Sequence, residues 1–175
     1  MSESVWIFGY GSLIWRPGFA FLGKAPARLE GYRRAFCRYS FRHRGTPEHP
    51  GLVIGLREGG ACEGMAFRIA PGEEPAVLAY LDEREGEGYL RKRVPVRLLE
   101  GGREVWAWTY IPNPDHPSYF GEEESARLVE LVATGRGESG TALDYLRNLV
   151  EQLIPLQASD PELVRVLHAA EAYGE

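Results

Sequence analysis

Strand-forming segments dominate the first half of the sequence, whereas helix-forming segments are concentrated in the second half. A chain in which strands and helices alternate regularly favours a parallel sheet with crossover helices. Strands that come first and helices that follow favour an α+β fold, in which helices pack on a largely antiparallel sheet or barrel. No internal repeat or linker divides the 175 residues, and this length suits one domain, residues 1–175.

The predicted strands are short apolar or aromatic runs separated by glycine-rich turns. Val5–Phe8 has no polar alternation, which is typical of a strand buried on both faces. Residues 57–60 and 100–103 each contain a pair of glycines, and each segment predicts the turn of a β-hairpin. The predicted strands are Val5–Phe8, Arg28–Ser40, Gly51–Leu56, Gly64–Ile69, Tyr89–Leu99 and Val105–Ile111.

Apolar residues at intervals of three and four positions predict the helices. The last helix is expected to begin at a capping box, Ser159-Asp160-Pro161-Glu162, with the proline in its first turn. The other predicted helices are Glu73–Arg84, Glu122–Thr134 and Ser139–Ile154.

Charge is distributed unevenly along the chain. The formal net charge is −5, yet residues 24–44 hold seven basic side chains against one acid, Glu30. Arginines interleaved with aromatic residues in this Lys24–Arg44 stretch would suit a non-catalytic nucleic-acid-binding module. The acidic remainder of the chain argues against that alternative, and we expect neither a nucleic-acid nor a membrane partner. The sequence leaves the oligomeric state open and slightly favours a monomer.

Cysteine content and the first residues of the chain bear on its compartment. Two cysteines, Cys37 and Cys62, cannot form a disulfide framework, which is typical of a reducing compartment. Residues 1–4 lack the positive charge that begins a signal peptide, and the apolar run of residues 5–15 is too short to span a bilayer. We therefore expect a soluble, cytoplasmic protein.

Common cofactor and metal motifs are absent from the sequence. Position 14 is isoleucine, so Gly9-Tyr10-Gly11 lacks the third glycine of a dinucleotide-binding fingerprint. The four histidines and two cysteines do not have the spacing of metal ligands. We therefore expect no metal site.

The first candidate site is the glycine-rich turn Gly9–Leu13, which directly follows the first predicted strand. Successive backbone N–H groups in such a turn can hold an anion or a carboxylate oxygen, with the Ser12 hydroxyl and the Tyr10 ring beside it. A tight turn that merely ends the strand has the same spacing, and spacing alone slightly favours that structural interpretation.

The second candidate site is Asp82–Tyr89, where four carboxylates fall at the end of a predicted helix. The helix dipole disfavours acidic side chains at this end, and Gly86 and Gly88 permit a sharp turn. A carboxylate held in an apolar cavity beside another acid has a raised pKa, which suits a general base. A solvated acidic helix end is an equally supported alternative.

Three segments, taken in order, resemble the ChaC family of glutathione-specific γ-glutamylcyclotransferases. They read FGYGSLIW at residues 8–15, HRGTPEHPG at residues 43–51 and YLDEREGEGY at residues 80–89. Two further segments, NPDHPSYFG at residues 113–121 and GESGTALDYL at residues 137–146, extend the resemblance over nearly the whole chain.

The resemblance implies a γ-glutamylcyclotransferase-like fold with a small mixed, mainly antiparallel β-barrel-like core and flanking helices. It implies an enzyme that converts glutathione to 5-oxoproline and cysteinylglycine without a metal or organic cofactor. The family's catalytic glutamate matches Glu85, which would act as general base and then as general acid. The family's substrate-binding loop matches Tyr10, Gly11, Ser12 and Leu13. Candidate residues that touch substrate or brace the cavity are His43, Arg44, Tyr89 and Tyr119.

The sequence departs from the family pattern at three positions. Arg42 stands where relatives usually have aspartate, Cys37 stands at a position that is often tryptophan, and Glu87 replaces a glycine before the tyrosine. These departures bear on the leaving group, so a cyclotransferase that acts on other γ-glutamyl amines or peptides is the alternative function. The Lys24–Arg44 stretch would help to attract an anionic substrate such as glutathione.

Overall fold

A computed structural model describes residues 4–121, 126–158 and 160–174. The strands are β1 (Val5–Gly9), β2 (Gly23–Ser40), β3 (Gly51–Ile69), β4 (Tyr89–Leu98), β5 (Glu104–Pro112), β6 (Arg136–Gly137) and β7 (Gly140–Thr141). The α-helices are α1 (Glu74–Glu85), α2 (Ala126–Thr134), α3 (Ala142–Leu153) and α4 (Pro161–Glu171).

The strands β1 to β5 form a closed barrel in the order β1-β3-β2-β4-β5. Strand β1 pairs antiparallel with β3 along its whole length and parallel with β5, where Trp6 faces Ala107 and Ile7 faces Trp108. The β1–β5 pair closes the barrel, and it makes a mainly antiparallel sheet mixed. The predicted α+β class with a small mixed β-barrel core is confirmed.

The two glycine pairs that predict hairpins behave differently. Gly101 and Gly102 have φ angles of 83° and 71° and form the turn between β4 and β5, so that hairpin is confirmed. The hairpin predicted at residues 57–60 is wrong, because β3 runs through it as one 19-residue strand. Gly59 and Gly60 also have positive φ angles, of 98° and 76°, but inside a strand such glycines bend the chain rather than reverse it.

The helices lie where the periodicity predicts them, although α1 and α3 begin later than predicted. Helix α3 begins at Ala142 rather than Ser139, because residues 136–141 first form the small β6–β7 sheet. The Thr141 hydroxyl then accepts a hydrogen bond of 3.0 Å from the Asp144 N–H and caps α3. Residues 122–125 and Ser159, which belong to two predicted helix starts, lie outside the described residues. No helix in the described ranges has the length and apolarity needed to cross a membrane.

The chain divides into two compact units, and the first comprises residues 1–34 and 56–116. Helix α1 packs into the core of this unit through one apolar face that contains Val77, Leu78 and Leu81. The other buried members of this cluster come from the barrel strands and the turn after β1: Ile7, Leu13, Phe67, Ile69 and Tyr110. Burial of α1 on this cluster fixes where its last residue, Glu85, is placed.

The second unit comprises residues 35–55 and 117–175. Its core contains the buried apolar faces of α2, α3 and α4, which include Leu131, Leu149 and Leu163. A Cβ on Gly51 would clash with the Arg44 carbonyl, and a Cβ on Gly135 would clash with Cα of Gly51. These positions therefore require glycine because the backbone segments touch.

Gly64 on β3 lies against the end of β1 and provides the test of how tightly the barrel is packed there. A Cβ at this position would clash with the Gly9 carbonyl and lie 2.9 Å from Cζ of Phe8, whose ring is fully buried. We expect Gly64→Ala to lower the free energy of unfolding by about 1–3 kcal/mol, measured by urea denaturation. Gly72→Ala is the control, because an added Cβ there meets no atom within 4 Å. Equal stability of the two variants would contradict the packing described here.

Candidate active site

The glycine-rich turn after β1 forms one short 3₁₀ turn, Ser12–Ile14. Its first hydrogen bond joins the Ile14 N–H to the Gly11 carbonyl at 3.0 Å, so the N–H groups of Ser12 and Leu13 precede the bonds of the turn itself. A Cβ on Gly9 would lie 2.7 Å from Cβ of Leu13, which explains why a glycine is needed where the chain folds back. Ser12 is half-buried and the residues on either side of it are buried.

The main chain of this turn is held in place from the barrel side. The side chain of Arg34, only 4% exposed, donates through Nε to the Tyr10 carbonyl at 2.7 Å and through Nη2 to the Glu63 carbonyl. The Tyr10 hydroxyl donates to the Tyr110 carbonyl at 2.5 Å, so the Tyr10 ring packs into the first unit. Sequence reasoning grouped Arg34 with the basic stretch and missed this role, because the partner carbonyls are distant in sequence.

Glu85 is the last residue of α1 and is half-buried. Gly86 follows it with a φ of 77°, and its N–H donates to the Asp82 carbonyl at 2.9 Å, which ends the helix. Glu87 is exposed, whereas Tyr89 is half-buried at the start of β4. The sharp turn predicted after the acidic segment is therefore present, and it separates the environments of Glu85 and Glu87.

Arg84 brings the glycine-rich turn and the end of α1 together. Its Nη2 donates to Oγ of Ser12 at 3.1 Å, and its Nη1 donates to the carbonyls of Arg16 and Pro17 at 2.6 Å and 3.0 Å. Two of the segments that the sequence singled out are thus linked through the residue that precedes Glu85. The residue type alone gave no signal for this link, since an arginine in the last turn of a helix is favourable anywhere.

Asp82 is exposed, and its carboxylate also belongs to a network of polar side chains. Its Oδ1 accepts from the Tyr110 hydroxyl at 2.7 Å, and its Oδ2 accepts from Nη1 of Arg91 at 2.7 Å. Arg91 in turn lies over the ring of Trp108. Burial, and then the hydrogen bond to the Asp82 carboxylate, raise the pKa of Tyr110 well above its usual value, so the phenol keeps its proton. The four carboxylates of this segment are therefore not equivalent.

Tyr89 lies in the first unit with Glu85 and the glycine-rich turn, whereas the other three candidate cavity residues lie in the second unit. There His43 places Nδ1 3.0 Å from Oγ of Ser139, and Arg44 donates to the Thr141 carbonyl at 3.2 Å. Tyr119 pairs with Arg38 in an isolated β-bridge. These contacts show how the three residues are braced, and their part in substrate binding stays a prediction.

Part of the positive charge in Lys24–Arg44 is paired with acidic side chains of the same chain. Arg28 forms ion pairs with Glu30 at 2.7 Å and Glu63 at 2.5 Å, and Arg42 forms one with Glu138 at 3.0 Å. The hydrogen bond from Arg28 lowers the pKa of Glu30, so this carboxylate stays charged beside it. Because Arg28 and Arg42 already have acidic partners, the stretch provides less free charge for nucleic acid than the sequence suggested.

Comparison with known proteins places these observations in a family. Residues 5–173 match the family described as ChaC-like protein. A glutathione-specific γ-glutamylcyclotransferase of Escherichia coli K12 is 36% identical over 161 residues, which cover 91% of this chain and 69% of that protein. Glutathione-specific γ-glutamylcyclotransferase 1 of Homo sapiens is 33% identical over 174 residues, which cover 95% of this chain and 78% of the human protein.

A solved structure shares the fold as well. The crystal structure of a selenomethionine-labelled γ-glutamyl cyclotransferase specific to glutathione from yeast matches with a TM-score of 0.90 and 25% identity, over 98% of this chain and 97% of that one. The resemblance seen in the sequence is confirmed, and the chain belongs to the ChaC family.

Proposed function

We propose that this protein is a glutathione-specific γ-glutamylcyclotransferase, which releases 5-oxoproline and cysteinylglycine. The observation that carries the proposal is that Arg84 links the glycine-rich turn to the end of the helix that bears Glu85. Substrate holding and proton transfer, the two tasks that this reaction needs, would then fall within one compact unit. Relatives that are named for this activity are 33–36% identical over most of the chain.

In this proposal the turn Tyr10–Leu13 holds the γ-glutamyl group of glutathione. The N–H groups of Ser12 and Leu13 would donate hydrogen bonds to the oxygens of this group. Little conformational entropy is lost on binding, because the backbone of the turn is already fixed. Holding the substrate so that its α-amine faces its own γ-carbonyl makes the attack intramolecular, which removes a large part of the barrier. Arg34 and the Tyr10 hydroxyl would support this step by keeping the turn rigid.

Glu85 provides the proton transfers. Its carboxylate removes a proton from the α-ammonium group, and the free amine then attacks the γ-carbonyl carbon to form the new C–N bond. The oxyanion that develops would be stabilised by the Leu13 N–H or the Ser12 hydroxyl. Glu85 then returns a proton to the nitrogen of the cysteinyl residue, and the old C–N bond breaks. The ring nitrogen, which still carries two hydrogens after the attack, loses its second proton to become the lactam N–H, while the released amine of cysteinylglycine gains one proton and the Glu85 carboxylate is restored. No water molecule is consumed.

The Ser12 hydroxyl is suited to this donation. Its oxygen accepts a hydrogen bond from Arg84, so its own hydrogen remains available for another acceptor.

We also propose that residues 1–175 act as one ChaC domain and bind the substrate without nucleic acid or a membrane. The cytoplasmic location stays a prediction.

Replacement of Glu85 tests the proposed base. We expect Glu85→Gln to lower kcat for glutathione at least about 100-fold, because the amide keeps the shape of the side chain but cannot take up the proton. Release of 5-oxoproline, measured by mass spectrometry, gives the rate. Glu83→Gln on the same helix is the matched control, since Glu83 is exposed, and it should retain the wild-type rate. Wild-type protein that releases no 5-oxoproline, or an unimpaired Glu85→Gln variant, would contradict the proposal.

Substrate comparison separates the proposed function from its alternative. We expect kcat/KM for glutathione to exceed that for γ-glutamyl amino acids at least about tenfold, because a specific site also contacts the cysteinylglycine part. Equal values for both substrates would favour a cyclotransferase that acts on γ-glutamyl amines in general. Both values come from the same 5-oxoproline measurement.

A further inference from the structure

We propose that Arg84 is a positioning residue, which fixes the catalytic glutamate relative to the turn that holds the substrate. The proposal rests on the proposed function and goes beyond the roles assigned above to Glu85 and to Tyr10–Leu13. Arg84 does not need to touch glutathione for this role. It acts through the groups to which its guanidinium donates.

The guanidinium of Arg84 contacts the chain after β1 at several points. Nη1 donates to the carbonyls of Arg16 and Pro17, and Nη2 donates to Oγ of Ser12. Nη1 also lies 3.2 Å from the Tyr80 hydroxyl, one helical turn before Arg84 on α1. The side chain therefore ties the last turn of α1 to both ends of the segment from Ser12 to Pro17.

The segment that receives Arg84 is shaped around α1. Gly18 has a φ of 76°, and a Cβ there would lie 2.8 Å from Cζ of Tyr80. A larger residue at position 18 would be strained by its backbone and would also clash with the Tyr80 ring. Gly18 thus leaves the space that the Tyr80 side chain occupies, and Tyr80 lies one helical turn before Arg84 on the same face of α1. This second contact between α1 and the segment after β1 is independent of the hydrogen bonds of Arg84.

The position of Arg84 in the helix explains why its anchoring matters for Glu85. The two residues are consecutive at the end of α1, where helices fray most easily, and the chain turns away at Gly86. A rotation or lifting of this last turn would move both side chains together. The bonds from Arg84 to two main-chain carbonyls resist that movement and so hold Glu85 at a fixed distance from the turn.

The shape of arginine is needed for this task. Nη1 and Nη2 reach different partners, two carbonyls and one hydroxyl, at the same time. The compact ammonium of lysine carries the same charge but cannot reach both sides with a fixed geometry. Donation from Nη2 also fixes which way the Ser12 oxygen presents its lone pair, and therefore where its hydrogen can point.

The test combines kinetics with stability for Arg84→Gln and Arg84→Lys, with Arg127→Gln as a control on an exposed arginine of α2. We expect Arg84→Gln to lower kcat for glutathione about 10–100-fold while KM changes much less, because misplacement of the base affects the chemical step. Arg84→Lys should recover only part of the loss. The urea midpoint of all three variants should stay within about 0.5 M of the wild type.

A double-mutant comparison adds a result that a purely structural role would not produce. In a Ser12→Ala background the hydroxyl that accepts from Nη2 is gone. Arg84→Gln should therefore lower kcat by a smaller factor in this background than in the wild type. If the two substitutions lower kcat by independent factors that simply multiply, the proposed coupling is overturned.

Three results for the single variants would also overturn the proposal. They are a kcat of Arg84→Gln within about twofold of the wild type, full activity of Arg84→Lys, and a loss of activity that a lower urea midpoint explains. If the wild type and Arg127→Gln are themselves inactive on glutathione, the proposed function fails and this inference fails with it. An active wild type with an unimpaired Arg84→Gln refutes this inference alone.

Discussion

The pairing of the short strand β1 with two neighbours is the constraint on which the first unit depends. All five residues of Val5–Gly9 pair antiparallel with β3 on one side, and Trp6 and Ile7 pair parallel with β5 on the other. The fully buried hydroxyl of Thr109 on β5 adds a hydrogen bond of 3.0 Å to the Phe8 carbonyl near the end of β1. Because both sides of β1 are fixed, the point at which the chain leaves the barrel is fixed as well.

The proposed chemistry uses that fixed exit point. The backbone that follows β1 folds back at once, since Gly9 leaves room for Leu13, and Arg34 holds the Tyr10 carbonyl from the barrel side. Helix α1 then brings Glu85 to the same unit, and Arg84 connects it to Ser12. An intramolecular cyclisation needs little from the protein besides a held substrate and a placed base, so rigid support of this kind suits it.

The sequence predicted those features that depend on neighbouring residues. The apolar run of β1, the Gly101-Gly102 hairpin and the apolar face of α1 are local patterns, and the structure contains all three. Gly59-Gly60 has the same local pattern as Gly101-Gly102, yet it lies within β3, because pairing with distant β1 and β2 requires a continuous strand. A glycine pair permits a turn or a bend, and only the tertiary partners decide between them.

The same distinction applies to the candidate site. Its position after β1 and at the end of α1 could be predicted from turn residues and from the resemblance to a family. The partners of Arg34, Arg84 and Asp82 could not, because each bond joins residues that only the closed barrel brings together. The acidic segment illustrates this point, since nothing in the local sequence shows that Asp82 binds the distant Tyr110 and Arg91.

The most direct test of the intramolecular cyclisation is to measure whether ¹⁸O enters the products when the protein acts on glutathione in ¹⁸O-labelled water. Intramolecular attack by the α-amine consumes no water, so we expect unlabelled 5-oxoproline and cysteinylglycine in equal amounts. Release of free glutamate that carries ¹⁸O would show hydrolysis instead, and it would contradict the cyclisation proposed for this protein.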